Sequence, residues 1–467
     1  MPAVETTSTP ARRRLGPPLL VLATAQLVIS LDYSIVYVAL PGIGSGLGFS
    51  GQDLQWVVSA YVVATGGLLL LGGRATDLLG RRRIFVIAAL LYAVSSLVGG
   101  ASGSPGLLIA VRAVQGIGGA LLFPAALSLI NTLYEEGPDR NRALAVWGAA
   151  GAGGLCFGSL LGGVLVEAFG WPAVFYVNVP LAGGTALAGA LLFPADRPPP
   201  GRRDFDLPGA LTATVGITLL VFVLIHAPEA GWGSPGILGC AVLSVLSLAL
   251  FALAERRARA PLTPGHLYGR RGLLGAMALA ALFSATFSAL PYFLTLYFQT
   301  VRGYGALATG AAFLVPAVVV AVGTKAGERA VSAFGVRPVL PGALAVGAAG
   351  AVLLAAGLGG EGPYLRLLPG LVLLSLGQGA TWTALWIAAA SGIPARDQGV
   401  ASGLASTALQ VGGAVGLAVL IVVVGAGDHG AATATPAGAV RDAVWIIAAG
   451  IAAGACALLP LRHRAAR

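Results

Sequence analysis

Long apolar segments, separated by short polar ones, make up almost the whole chain. A helix needs about 20 predominantly apolar residues to cross the hydrocarbon core of a bilayer. Fourteen segments approach that length, and they lie near residues 17–40, 53–73, 84–101, 106–130, 143–166, 173–193, 208–226, 234–254, 273–298, 306–324, 339–358, 366–390, 400–425 and 442–461. The pattern predicts an all-α integral membrane protein with 14 transmembrane helices, and an even count places both termini on one side.

The basic residues orient this arrangement. Of the 28 Lys and Arg residues, only Arg302, Arg366 and Arg441 fall in loops on the side opposite the termini, and Arg112 lies within a span. Cytoplasmic loops of membrane proteins carry an excess of Lys and Arg. We therefore expect both termini to be cytoplasmic, in a multi-pass protein of the plasma membrane.

A proline-rich polar stretch at 194–205 is the clearest internal boundary. Six predicted spans precede it, two follow it, and a basic loop at 255–271 precedes the last six. Many secondary carriers are built from two repeats around a site at the bilayer midplane. We expect a six-helix bundle over 1–195, a two-helix insertion over 196–271 and a second six-helix bundle over 272–467.

Composition narrows the class of protein further. Hydrophobic residues make up 57% and charged residues 10%, with a mean hydropathy of +0.87. The net charge of +10 does not point to a nucleic-acid partner, because the charges cluster in loops between apolar segments. The 3 Cys and 4 His are scattered, so no metal or disulfide framework is expected. A membrane enzyme or receptor is the rival class, which the lack of a His/Cys/carboxylate cluster and of a sizeable soluble domain disfavours; we expect neither enzyme activity nor a cofactor.

Asp32 lies inside the first span, and no other acid lies near the middle of a span. A charge within hydrocarbon is costly and marks an ion or substrate pathway. At 1.5 Å per residue, Asp32 lies about 13 Å from Pro41 and Arg112 about 10 Å from Pro105, at the same end of their spans. The two residues are plausible ion-pair partners, although Arg112 could instead extend towards the membrane surface.

Glycines and charges also form a pattern over residues 72–83, which we expect to be the loop after the second span. The participating residues are Gly73, Arg74, Asp77, Gly80, Arg81 and Arg82. Asp77 and Arg81 are four residues apart, a spacing that allows a pair along one helical turn. A basic loop that merely sets the topology is the alternative. The spacing resembles motif A of the major facilitator superfamily, and a weaker copy follows the tenth span at 327–337.

Two further spans carry motif-like spacings. Arg112, Gln115 and Gly116 share one face of the fourth span and resemble motif B of proton-coupled facilitators. The fifth span resembles motif C, the antiporter signature, in the glycines at 154–163, including Gly158, Gly162 and Gly163. Ser159 stands where that motif has proline. Close packing of small residues is the other interpretation of these glycines.

Residues 31–41 resemble the span-1 motif of the fourteen-span drug:proton antiporter family, with Ser34 and Tyr37 where that family usually has Thr and Asn. Further matches lie at 55–57, 171–180, 296–304 and 399–413, so the resemblance covers nearly the whole chain. It implies exchange of protons for cytotoxic amphiphiles by alternating access. It also implies that Asp32 and Arg112 couple protons and that motif A controls the conformational change.

Aromatic and polar residues suggest where cargo would bind. Gln26, Ser30, Tyr33 and Tyr37 recur on one face of the first span, and Gln378, Trp382 and Trp386 on one face of the twelfth. Gln299 belongs to the match at 296–304. These side chains suit flat hydrophobic cargo, but the hydroxyls could instead bond neighbouring helices and the tryptophans could be core or interface residues.

The sequence as a whole predicts a proton-coupled exporter of hydrophobic or amphiphilic drugs and antibiotics, working as a monomer in the lipid bilayer. Because Ser159 departs from motif C, a proton-coupled metabolite carrier or uptake symporter of the same fold is the alternative.

Overall fold

The computed structural model of the 467-residue chain is entirely helical in the part that it describes. That part comprises residues 16–49, 54, 56–196, 207–258, 267, 271–304, 306–358, 362–394, 397–428 and 436–458. The proline-rich boundary falls largely outside these ranges.

The described residues of the first half form seven α-helices, two of which share the sixth predicted span. They are α1 (Pro17–Leu47), α2 (Trp56–Leu79), α3 (Arg81–Gly100), α4 (Pro105–Leu133), α5 (Pro138–Phe169), α6 (Ala173–Tyr176) and α7 (Asn178–Leu192).

Ten more lie in the described residues of the insertion and the second half. They are α8 (Leu207–Ala230), α9 (Pro235–Arg257), α10 (Arg271–Phe283), α11 (Leu290–Leu296), α12 (Ala306–Ala312), α13 (Leu314–Phe334), α14 (Val336–Gly357), α15 (Leu368–Ala390), α16 (Gln398–Asp428) and α17 (Pro436–Leu458). Two π-helical turns, Ser284–Ser288 and Tyr297–Val301, interrupt the ninth predicted span.

Each predicted span coincides with a helix, or with two or more consecutive helical segments, but fewer meet the requirements for crossing a membrane. In the described residues, 12 helices are long and apolar enough, and 13 if a bent pair within α5 is one span. The remaining predicted span is α8, whose apolar part, Leu211–Leu224, is short. The count of fourteen crossings therefore stays a prediction.

The first helix is longer than its apolar pattern indicates. It continues beyond Pro41 to Leu47 and ends at Gly48, whose φ of 69° closes the helix through a hydrogen bond to the Gly44 carbonyl. Glycine suits this position because left-handed backbone strains other residues. Asp32 therefore lies at the middle of α1 rather than near its end.

Small residues determine how closely α5 crosses α1. A methyl group on Gly154 would lie 2.7 Å from the Leu27 carbonyl oxygen, and one on Gly162 would lie 2.9 Å from the Ile35 side chain. Such contacts allow the two backbones to approach closely. The helix that carries Asp32 is thus held firmly against α5, which bends by 45° between Leu155 and Leu160.

We call helices α1–α7 the first bundle and helices α10–α17 the second bundle, and the two contact each other on one side of the molecule. We call this side the N-terminal face, because α1 begins there, and the other side the opposite face. The end of α2 contacts the beginning of α16, and the beginning of α5 contacts α13. Helix α8 packs against both α2 and α16, so the insertion lies beside the junction of the bundles, and α9 packs along α8.

Candidate functional site

A buried ion pair occupies the centre of the first bundle. Arg112 of α4 donates from Nη1 to Oδ2 of Asp32 on α1 at 2.7 Å. Both side chains are buried, with at most 1% of their surface exposed. The structure thus joins the acid and the base that the sequence placed at a similar depth, and it excludes an Arg112 that extends to the membrane surface.

The rest of the Asp32 carboxylate is also occupied. Oδ1 accepts hydrogen bonds from Nε2 of Gln115 at 3.0 Å and from Nδ2 of Asn178 at 2.9 Å. Gln115 in turn accepts from Arg112 at 2.6 Å and donates to the Ser96 hydroxyl at 2.8 Å. All these donors suit an ionised carboxylate, which only accepts. A protonated Asp32 would need to turn one oxygen from acceptor into donor.

Arg112 has further partners on α2. Its Nε donates to the Val57 carbonyl at 2.8 Å, and its guanidinium lies 4.5 Å from the centre of the Tyr61 ring. Cation–π contacts of this kind are strongest where the charge is desolvated. The hydroxyl of Tyr92 on α3 donates to the Tyr61 hydroxyl at 3.4 Å. One charged pair therefore links α1, α2, α3, α4 and α7.

Sequence reasoning missed several members of this network. Asn178 lies in the family match at 171–180, but the sequence does not indicate that its side chain reaches Asp32. Ser96 and Tyr61 carry no sequence signal, because single hydroxyls are frequent in membrane helices and usually bond neighbouring helices. The Val57 carbonyl is a backbone atom and is invisible in a sequence. Two buried amide side chains near the level of an embedded acid would have been a usable signal.

Asp77 is half-buried and lies between the bundles. Its two carboxylate oxygens accept hydrogen bonds from the backbone N–H groups of Gly399 at 3.0 Å and Val400 at 2.8 Å. These N–H groups belong to the first turn of α16, where no intrahelical acceptor exists and the helix dipole favours negative charge. Asp77 therefore bridges the first bundle to the second at the N-terminal face.

The other residues of the motif shape this junction. A methyl group on Gly73 would lie 3.1 Å from the Cα atom of Gly403 and still closer to the Gly399 carbonyl, so α2 and α16 cross closely only because Gly73 has no side chain. Arg74 is half-buried on α2. The expectation that residues 72–83 form a loop is wrong, because α2 continues to Leu79 and only Gly80, with φ of 103°, forms the turn.

Beyond the turn, the arginines hold the beginning of α3 in place. Arg81 donates from Nε to the Ser128 hydroxyl on α4 at 3.0 Å, and the Arg82 guanidinium donates to the Ala190 carbonyl on α7. The carboxylate of Asp196 accepts from the backbone N–H of Arg82 at 3.1 Å and from that of Arg83 at 2.9 Å. The sequence did not indicate Asp196, which satisfies free N–H groups at the start of a helix.

The polar stripe on α1 divides into two parts. Tyr33 and Tyr37 are 40% and 47% exposed and lie edge to face with ring centres 5.8 Å apart. Gln26 and Ser30 are buried, bond each other at 3.2 Å and lie against α5 near Gly151. In this conformation the expected cavity face is therefore limited to the two tyrosines, because the close α5 crossing covers the rest.

The expected cavity residues of the second bundle are distributed differently. Gln378 and Trp382 are half-buried and Trp386 is buried, all on α15. The two tryptophans contact the first bundle directly. Gln299 falls in the second π-helical turn, and its side chain lies outside the described part of the structure.

The motif glycines on α4 and α5 have packing roles, with one exception. Gly116 approaches the Tyr61 carbonyl, Gly158 approaches the Leu31 carbonyl, and Gly162 approaches Ile35. Among the described residues, no atom lies within 4 Å of the position that a methyl group on Gly163 would occupy. Ser159, the departure from motif C, has a side chain outside the described part.

Comparisons with known proteins agree with this architecture. The family model of the Major Facilitator Superfamily matches residues 22–417. The chain is 41% identical over 409 residues to the puromycin resistance protein pur8 of Streptomyces alboniger, covering 87% of this chain and 81% of that protein. It is 39% identical over 416 residues to the cephamycin export protein CmcT of Amycolatopsis lactamdurans, covering 88% and 85%.

Solved structures show the same fold at low sequence identity. The human organic anion transporter MFSD10 superposes with a TM-score of 0.69 at 17% identity, covering 95% of this chain and 99% of that one. The proton:xylose symporter XylE superposes with a TM-score of 0.66 at 16% identity, covering 94% of both chains. With the buried ion pair and the charged junction between two helical bundles, these matches show that the chain is a membrane transporter, not an enzyme, and belongs to the major facilitator superfamily.

Proposed function

We propose that this transporter exports hydrophobic or amphiphilic antibiotics in exchange for protons. The observation that carries the proposal is the fully buried Asp32–Arg112 pair in the middle of a membrane helix. Relatives named for antibiotic resistance or export support the cargo class, and a lincomycin resistance protein of Streptomyces lincolnensis is among them, at 34% identity.

Asp32 would carry the proton. Protonation removes its charge and leaves Arg112 as a buried cation, whose remaining partners among the described residues are the Val57 carbonyl, Gln115 and the Tyr61 ring. Because a buried charge needs compensation, the helices joined by the pair would rearrange. Loss of the proton would restore the present geometry, so the pair would alternate between two arrangements during transport.

Asp77 would control access at the N-terminal face. The present structure is closed there, because its carboxylate holds the beginning of α16. Cargo entering from that side requires these two hydrogen bonds to break. Tyr33 and Tyr37, exposed on α1, would line the cargo cavity.

We further propose that the N-terminal face is cytoplasmic, in the plasma membrane, with both termini inside and a monomer as the working unit. Single cysteines at positions 203 and 231 test the orientation in a variant lacking Cys156, Cys240 and Cys456. A membrane-impermeant reagent added from outside is expected to label 231 and not 203. Labelling at 203 alone would show that the proposed topology is wrong.

Transport in everted vesicles tests the function. With a panel of dyes and antibiotics, a proton gradient with an acidic vesicle lumen should drive uptake of the compounds into everted vesicles. A protonophore should abolish this uptake. Asp32→Asn should abolish this uptake. Asp442→Asn is the matched control and should not, because Asp442 is an exposed acid on α17. Flux in the opposite direction would instead identify the alternative, an uptake symporter.

A further inference from the structure

Three tryptophans meet where the two bundles join. Trp147 lies on α5 of the first bundle, and Trp382 and Trp386 lie on α15 of the second. The Trp147 and Trp382 rings are stacked at 12° with centres 6.1 Å apart. Trp386 lies edge-on, with its ring centre 5.8 Å from that of Trp147 and 5.5 Å from that of Trp382. We refer to these three residues as the tryptophan cluster.

Two phenylalanines extend the cluster, and a glycine allows its rings to approach the backbone of α5. Phe123 of α4 contacts Trp147 and Trp386 with ring centres 5.1 and 5.6 Å away, and Phe283 of α10 contacts Trp382 at 5.3 Å. A methyl group on Gly148 of α5 would lie 2.8 Å from Nε1 of Trp382. The indole of one bundle therefore lies directly on the backbone of the other.

The cluster belongs to the closed side of the interface. Trp147 is nine residues into α5 and Trp382 is eight residues from the end of α15, so both lie about 12–14 Å along their helices from the N-terminal face. Asp77 closes the same face. Separation of the bundles there must separate Trp147 from the two tryptophans of α15.

The polar atoms of the cluster are unsatisfied. Nε1 of Trp147, of Trp382 and of Trp386 is buried and has no hydrogen-bond partner in the part of the chain that the structure describes. An indole N–H can only donate. Buried polar groups are nearly always hydrogen-bonded, and an unpaired donor is unfavourable. Three such donors lie together at one bundle interface, where the hydrogen-bond acceptors of a ligand could pair with them.

We propose that the tryptophan cluster is a cargo site that forms when the N-terminal face opens and that selects planar compounds bearing hydrogen-bond acceptors such as carbonyl oxygens. The inference rests on the proposed export function, which it makes specific. The indole faces stack on the planar part of the cargo, and the N–H groups donate to its acceptors. When cargo leaves, the rings close on each other and seal the interface.

The experiment uses the full-length protein in nanodiscs and two fluorescent planar cations. Doxorubicin has carbonyl acceptors, whereas ethidium has none. Phenylalanine at position 147 or 382 keeps an aromatic ring and removes the N–H. We expect Trp147→Phe and Trp382→Phe to weaken doxorubicin binding about tenfold, as expected for one net hydrogen bond in a site, and to change ethidium binding less than about twofold.

Trp445→Phe is the matched control, because Trp445 is 43% exposed on α17, and it should leave both affinities unchanged. Equal losses for both dyes would contradict the donor role, and so would unchanged doxorubicin binding in both cluster variants or an absence of binding to the wild-type protein. If Trp147→Phe does not fold, Trp382→Phe decides alone. The proposed export function is tested separately. If that function is wrong, proton-driven flux will be absent, while the effects of the variants on dye affinity will still be as expected here.

Discussion

Asp32 and Asp77 lie in different surroundings, since Asp32 is fully buried and Asp77 is half-buried. Asp32 lies inside one bundle and takes hydrogen bonds from three side chains, one of them a guanidinium. Asp77 lies between the bundles and takes hydrogen bonds from two backbone N–H groups at a helix beginning. A charge paired within one bundle can change its protonation state while the contact between the bundles stays closed. A charge shared between two units can only hold or release their contact.

Loss of Arg112, the partner of Asp32, should have the largest effect on the stability of the protein. Arg112→Met keeps much of the side-chain volume but leaves Asp32 as an uncompensated buried charge, which destabilises proteins by about 3–5 kcal/mol. We expect a large fall in thermal unfolding temperature in detergent. Arg441→Met, at a side chain that is 48% exposed, should have little effect.

A double variant sharpens this test. Asn at position 32 removes the charge that Arg112→Met leaves unpaired, so the Asp32→Asn and Arg112→Met effects should be less than additive. Full additivity would show that the two residues do not stabilise each other.

A side chain at position 73 should weaken the contact between Asp77 and the beginning of α16. Gly73→Ala places a methyl group against the backbone of Gly399 and Gly403, which cannot move aside as a side chain can. We expect the closed N-terminal face to lose about tenfold or more in population, since about 1.4 kcal/mol of strain is sufficient. The measurement is the yield of a disulfide between Asn131→Cys and Gln398→Cys, in a variant without the native thiols.

The control for that experiment is Gly163→Ala. Among the described residues, nothing lies within 4 Å of the added methyl group. Its disulfide yield should match that of the parent, and an equal fall in both variants would show a general effect of added methyl groups.

The sequence alone predicts more of the surroundings of Asp32 than of those of Asp77. Asp32 and Arg112 could be paired from sequence, because helix rise and orientation place both near one depth. Asp77 could be singled out by its glycine and arginine spacing, but not its partners, since they are backbone groups more than 300 residues away. The sequence positioned the apolar helices well, and erred where α1 and α2 continue past their apolar segments.

Asp77→Asn should impair turnover more than cargo binding. The amide keeps the shape but loses charge and presents a donor to N–H groups that need acceptors. Hydrogen bonds to a charged group contribute about 1.5–3 kcal/mol, so we expect roughly a tenfold change in transport rate with cargo affinity within about threefold. Asp139→Asn, in the first turn of α5, is the control. Equal loss of affinity and rate would place Asp77 in the binding site instead.

A neutral contact at the same face should matter least. Nδ2 of Asn131 on α4 donates to Oε1 of Gln398 on α16 at 3.0 Å. A neutral hydrogen bond contributes about 1 kcal/mol, so Asn131→Ala should lower transport less than Asp77→Asn does. Thr132→Ala is the control, because that hydroxyl bonds within its own helix. If Asn131→Ala has the larger effect, charge is not what closes the N-terminal face.

Under the proposed function, Asp32 carries the proton that is exchanged for cargo. Proton release on addition of cargo to purified protein in a weakly buffered solution tests this role, with the Asp32→Asn and Asp442→Asn variants measured alongside. Asparagine keeps the volume of Asp32 but cannot titrate. We expect proton release by the wild-type protein and by Asp442→Asn, and none by Asp32→Asn, although that variant still binds cargo. Proton release by Asp32→Asn at the wild-type level would rule out this role for Asp32.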